Sequence, residues 1–175
     1  AKGGAGMIIA GFQMVTNKTD PMTMGNYGVD TQLQAMGWAR LADRIKGYGT
    51  AVCVQLSCGL GRSSYPIPGM VNVSASENKN FYNDEMTRAL TLEEVEAIPP
   101  AFARAAARCK AVGIDAVEIH AHYGYLLDQF LTDLWNRRED KYGGSFENRT
   151  RLLVEIYDAI RNEVGPDYPV MMRMV

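Results

Sequence analysis

No apolar run in this chain approaches the roughly 20 residues that a membrane-crossing helix needs, so a membrane protein is not expected. No basic block appears either, and the net charge is −2. Electrostatic capture of nucleic acid or of an anionic membrane surface is therefore not expected. Cysteine is sparse: only Cys53, Cys58 and Cys109 occur. That usage fits unpaired thiols in a reducing compartment, and the start Ala1-Lys2-Gly3-Gly4 lacks a secretory pattern, so a cytoplasmic location is expected. Cys53 and Cys58 fall short of the four thiolates an iron–sulfur cluster usually needs. No strand is followed by Gly-x-Gly-x-x-Gly, which argues against a Rossmann sheet.

What is present is an alternation of buried strands and amphipathic helices. With 175 residues and 47% hydrophobic content, the chain can bury one ordinary core. Gly6 to Gly11 reads as a buried strand, and residues 12–29 as a loop. Asp30 is read as the cap of a helix from Thr31 to Lys46, with Met36, Leu41 and Ile45 inward and Gly47 as its stop. Ala51–Leu56 is the second strand, followed by an irregular excursion over about 62–90, a lid or a short hairpin. Thr91 and Glu94 make a capping box for a helix to about Val112, which Pro99-Pro100 must kink or restart. Ala116–His120 is the third strand, and Leu126–Trp135 reads as helical. Ser145 caps a helix in which Leu152, Leu153, Ile156, Ile160 and Val164 recur at helical spacing before Gly165-Pro166. The last strand begins at Pro169. This order is that of an α/β chain with a parallel sheet.

The stretch from Gly113 to Phe130 organises the chain. It sets His120, His122, Tyr123 and Tyr125 at a strand's carboxyl end, where parallel α/β proteins carry their chemistry. Strand alternation adds a rule. If Gln55 points inward, so does Cys53. If His120 points inward, so do Glu118 and Ala116, and Arg173 shares a face with Met171. Inward Glu118 and Arg173 would fall on neighbouring strands, and are expected to meet directly or through a shared polar ligand.

Three segments carry a resemblance: Glu118-Ile119-His120; Gly124-Tyr125-Leu126-Leu127-Asp128-Gln129-Phe130; and Asn136 through Arg149 with its Tyr142-Gly143-Gly144-Ser145 centre. With Gly4–Ile9, Gln55-Leu56, Gly61-Arg62 and the strand of Arg173, they resemble the old yellow enzyme family. Within it the chain looks closest to the 2-enoate and 2,4-dienoyl-CoA reductase branch. The resemblance implies an FMN-binding (β/α)8 TIM barrel, here a partial barrel of about four β/α units similar to strands two to five. Residues 1–175 would be one partial-barrel domain, a piece of a longer enzyme that is inactive alone. It implies reduction of a C=C bond in an α,β-unsaturated carbonyl or enoate, with NAD(P)H as reductant. The branch also allows FAD and a 4Fe–4S cluster in parts of the parent enzyme outside this chain. The small-molecule enone, the rest of the barrel and a homo-oligomer are the partners to expect.

Carried over residue by residue, Gln55, Arg173 and Ala10 match positions that hold the flavin, with Arg173 beside its pyrimidine edge. His120 matches a donor to the substrate carbonyl, and Tyr125 the acid that protonates the α-carbon. The second donor is usually the His or Asn before Gly-Tyr. Here Tyr123 takes that place and His122 sits one earlier, so both stand as candidates. The stretch Gln55 to Arg62 has one residue more than the family pattern and lacks its His. Two rivals remain: a metal-dependent hydrolase using His120-x-His122, and a non-catalytic half-barrel.

Overall fold

The computed structural model describes residues 1–19 and 28–174. In chain order its elements are β1 (Met7–Met14), α1 (Gln32–Lys46), β2 (Ala51–Ser57), a 3-10 turn (Gly61–Ser63), β3 (Val73–Ser74), β4 (Arg88–Ala89), α2 (Leu92–Glu96), α3 (Ile98–Ala111), β5 (Ala116–Ala121), α4 (Leu126–Leu131), α5 (Phe146–Val164) and β6 (Val170–Met174). β1, β2, β5 and β6 form one sheet in that order, parallel throughout. β3 and β4 form a separate two-stranded parallel ladder inside the excursion.

One face of the large sheet carries the core. Val52, Val54 and Leu56 of β2 and Val117 and Ile119 of β5 pack with Ile98 and Phe102 of α3 and Leu152, Ile156 and Ile160 of α5. All of these are essentially sealed from solvent. The opposite face bears Ile9 beside Cys53 and Ala116, Gln55 beside Glu118 and Met171, and His120 beside Arg173. At its β1 margin Met7 and Ile9 are 44% and 47% exposed.

Three helix starts match the expected chemistry. The Thr91 hydroxyl accepts from Glu94 N while Glu94 accepts from Thr91 N, a reciprocal cap. The two prolines restart the helix: α2 ends at Glu96, and Pro99 falls in the first turn of α3, where a missing N–H costs little. The Ser145 hydroxyl accepts from Asn148 N to open α5.

Other elements differ from expectation. β1 continues to Met14, three residues into the stretch read as loop, because a bulge between Ala10 and Gln13 absorbs the irregularity at Gly11. The rest of that stretch from residue 20 to 27 lies outside the described residues. The cap of α1 is Thr31, not Asp30, and it forms a capping box with Gln34. Its inward stripe is Ala35, Trp38, Ala42 and Ile45, while Met36 and Leu41 are exposed. α4 stops at Leu131 rather than Trp135. Thr132 there turns extended, and its hydroxyl accepts from Leu134 N, a local bond that competes with the helix.

The excursion is tied down by the loop after α4. Arg138 donates to Ala75 O (2.9 Å) and Leu90 O (2.6 Å), and its charge meets Asp140 at 2.6 Å. The buried Asn78 donates to Ser74 Oγ and to Trp135 O. Instead of a simple hairpin, the segment holds the β3/β4 ladder and one antiparallel bridge between Lys79 and Met86.

Candidate active site

The site grows from the carboxyl ends of β2, β5 and β6. Register sets Gln55 beside Glu118, and Gln55 Nε2 donates to Glu118 Oε1 at 2.5 Å, both residues buried. Glu118 therefore takes its partner from β2. The direct pair expected with Arg173 is absent, because Glu118 lies beside Met171, whereas Arg173 lies beside His120. The guanidinium of Arg173 sits 5.7 Å from the Tyr123 ring centre and is exposed; among the described residues it forms no ion pair.

Beyond β5 the chain makes a left-handed turn. Tyr123 has φ 65° and Gly124 φ 68°. For tyrosine this backbone is strained, and strain of this kind clusters at functional sites. The turn brings Tyr125 back over the strand end, where its ring stacks on His120 at 5.1 Å and 28°. Phe12 meets both rings edge-on, at 6.0 Å from His120 and 5.9 Å from Tyr125. Tyr123 lies 6.2 Å from His120 and 6.1 Å from Tyr125, whereas the ring contact of His122 is with Tyr123, at 4.3 Å. Tyr123 thus joins the cluster more directly than His122 does.

The protonation states suit polar work. Burial, helped by the nearby Arg173 and His122, lowers the His120 pKa, so its imidazole is neutral at neutral pH. Its Nδ1 is buried with no hydrogen-bond partner among the described residues, as is Nδ1 of His122. Burial raises the Tyr125 pKa, so this phenol keeps its proton. Burial, with Glu118 adding to it, pushes the Cys53 thiol up to about 12, consistent with an inert core residue.

Several contributors have no role assigned from the sequence. The bulge in β1 sets Phe12 against the cluster, although that residue lies in a stretch read as loop. Gln129 is fully buried. It donates to Leu60 O (3.0 Å) and Gly124 O (2.6 Å), and accepts from Ser74 Oγ (2.8 Å) and Arg62 N (3.2 Å). Asp128 accepts from Gly124 N at 2.7 Å. Together they hold the turn that carries Tyr125. Gly61 makes room for this arrangement: it has φ 61°, and a Cβ there would meet Gln129 Oε1 at 2.3 Å. Arg62 serves the same framework, donating to Lys79 O with its guanidinium near the Phe81 and Trp135 rings. Ala10 stands apart. Its register partner is Val54, on the helix-packed face, so only its main chain is available to the inner face.

The family model for the NADH:flavin oxidoreductase / NADH oxidase family matches residues 1–175, the whole chain. The chain belongs to that family. Cinnamate reductase of Clostridium sporogenes is 39% identical over 99% of this chain and 27% of its own length. NADPH dehydrogenase of Clostridium acetobutylicum is 36% identical over 98% of this chain and 50% of its length. Among solved structures, a 2-naphthoyl-CoA reductase complex superposes with a TM-score of 0.88 at 32% identity, covering 98% of this chain and 28% of that one. Morphinone reductase gives 0.82 at 29%, covering 95% and 50%. The chain thus spans half or less of the length of these relatives. The resemblance to old yellow enzymes is borne out, and the four-stranded parallel sheet is part of their TIM barrel. Among the described residues, no group of three His, Cys, Asp or Glu is placed to hold a metal ion. No described helix is long and apolar enough to cross a membrane.

Proposed function

We propose that the parent protein is an FMN-dependent ene-reductase that uses NAD(P)H to reduce the C=C bond of an α,β-unsaturated carbonyl or enoate. Residues 1–175 supply a partial-barrel domain with much of its active site. The observation that carries this reading is the stack of the His120 ring on that of Tyr125, on the same open sheet face as Gln55 and Arg173. The names of the relatives, cinnamate reductase and morphinone reductase among them, agree with it.

The residues fit a flavin ring. Gln55 gives its amide hydrogen to Glu118, which fixes the amide and leaves Oε1 for an N–H of the ring. Arg173 offers a cation with no carboxylate within ion-pair reach among the described residues, suited to an electron-rich ring edge. Ala10 would contribute main chain beside its bulge. When bound, the flavin would supply the hydride. The protein's share is polarisation and proton delivery. His120 would donate to the substrate carbonyl, where negative charge develops and a placed donor contributes about 3 kcal/mol. Tyr123 is the better placed of the two candidates for a second donor. Tyr125 would release its proton to the α-carbon. The three buried thiols agree with a cytoplasmic setting.

The full-length protein should show the absorbance of bound oxidised flavin and should reduce an activated alkene with NAD(P)H. Replacing Arg173 by Met should weaken flavin retention, seen as a lower flavin-to-protein ratio after dialysis. A colourless wild-type protein that cannot be reconstituted with FMN would end the proposal. Unchanged retention and potential in the variant would remove Arg173 from it.

A further inference from the structure

Three large aromatic side chains of the excursion stand in solvent next to the site. Tyr65, Phe81 and Tyr82 are 57%, 65% and 49% exposed. Apolar side chains grouped in this way mark a binding surface more often than scattered ones do. Their arrangement is fixed. The rings of Tyr65 and Tyr82 stack at 4.7 Å and 17°, and Phe81 meets Tyr82 edge-on at 5.1 Å. The backbone beneath them is pinned: Phe81 N donates to Arg62 O, Tyr82 N to Asn80 Oδ1, and the buried Asn80 donates to Ser64 O. Rings already in mutual contact over a hydrogen-bonded backbone need less ordering on binding than separate side chains do.

The platform borders the Tyr125 turn. Ser63 Oγ donates to Gly124 O at 3.4 Å, and Gln129 bonds both Gly124 O and Arg62 N. Electrostatics agree with the proximity. The Tyr125 pKa is raised first by burial and then by the Tyr65 phenol. That of Tyr82 is raised chiefly by its hydrogen bond to Tyr65, with Tyr125 also contributing.

We infer that Tyr65, Tyr82 and Phe81 form a stacking subsite for a flat unsaturated substituent, an aryl group above all, carried by the alkene that His120 and Tyr125 would address. The inference rests on the ene-reductase reading and narrows its substrate class to aryl-substituted enoates and enones. Stacked and edge-on ring pairs are favoured geometries for such a group. A saturated ring of similar volume has no π-face to offer.

The test compares 3-phenylpropenoate with 3-cyclohexylpropenoate on the full-length holoenzyme. Because both are measured on one preparation, loss of folded protein cancels in the ratio of kcat/KM. Wild type should favour the phenyl compound by about tenfold, the size expected of one or two ring contacts. The double variant Tyr65→Ala/Tyr82→Ala should bring the ratio close to one, and Tyr65→Phe/Tyr82→Phe, which keeps the rings, should retain it. A wild-type ratio near one, or an undiminished ratio in the alanine variant, overturns the subsite. If neither compound is reduced, it is the ene-reductase reading that fails. Calorimetric binding of 3-phenylpropanoate and 3-cyclohexylpropanoate then decides the platform. A tenfold phenyl preference lost in the alanine variant supports it, and no preference overturns it.

Discussion

Replacing Tyr125 by Phe in the full-length protein should slow alkene reduction by about a hundredfold or more, since a placed general acid contributes on the order of 10²–10⁴. Reduction of the flavin by NAD(P)H should keep its rate. Phenylalanine retains the ring that stacks on His120 and meets Phe12, so stability should change by less than about 1 kcal/mol. The two half-reactions, followed separately by stopped-flow absorbance, make the comparison. The pH profile has a definite sign. Tyr125 must carry its proton to act, and its pKa lies above the ordinary phenol value, mainly through burial. The alkene step should therefore be insensitive to this group through neutral and mildly alkaline pH, and should fall only above the ordinary tyrosine range. Unchanged alkene turnover in the variant would take the acid role away from Tyr125.

The second large effect concerns stability. Gln129→Leu keeps the volume but takes the acceptor from Arg62 N and from the Ser74 O–H, and one of two donors from Leu60 O and Gly124 O, around a fully buried position. Leaving one such group unpaired costs about 1–3 kcal/mol. With two donors left unpaired and partial relaxation, a loss of about 2–4 kcal/mol is expected, read as a lower denaturant midpoint at constant m-value. Gly61→Ala should act on the same network from the other side, since its new Cβ would press on the Gln129 amide. The two substitutions should be non-additive in a double-mutant cycle, because they share one set of contacts.

Much of this site could be read from residue types alone, for reasons particular to each strand. Within each strand the two-residue period joins Glu118 to His120, Gln55 to Cys53 and Arg173 to Met171 on one face, and no tertiary information is needed for that. Register between strands is a different matter. Whether Glu118 meets Gln55 or Arg173 depends on how β2, β5 and β6 slide past one another, and single strands do not encode that offset. Phe12 was hidden for a related reason: only a bulge opposite Gln55 carries it to the cluster, and Gly11 reads as an ending rather than a kink. On α1, Met36 and Leu41 look like the natural core stripe. The helix instead turns Ala35 and Ala42 inward, next to partly buried Trp38 and Ile45. The stacked pair Tyr65–Tyr82 left no trace in the sequence, because side chains seventeen positions apart meet only after Asn80 and Arg62 have folded the excursion.

Two sealed thiols, Cys53 on the inner face and Cys109 on α3, supply a clock for opening. Cys53 and Cys109 are both pushed up to about 12 by burial, so the folded protein offers iodoacetamide almost no thiolate at either position. Alkylation of these two sulfurs must wait for the sheet to part from α3 or for the barrel mouth to breathe, and its rate counts those excursions. A ligand that braces the β2–β5 seam slows the count without touching either cysteine.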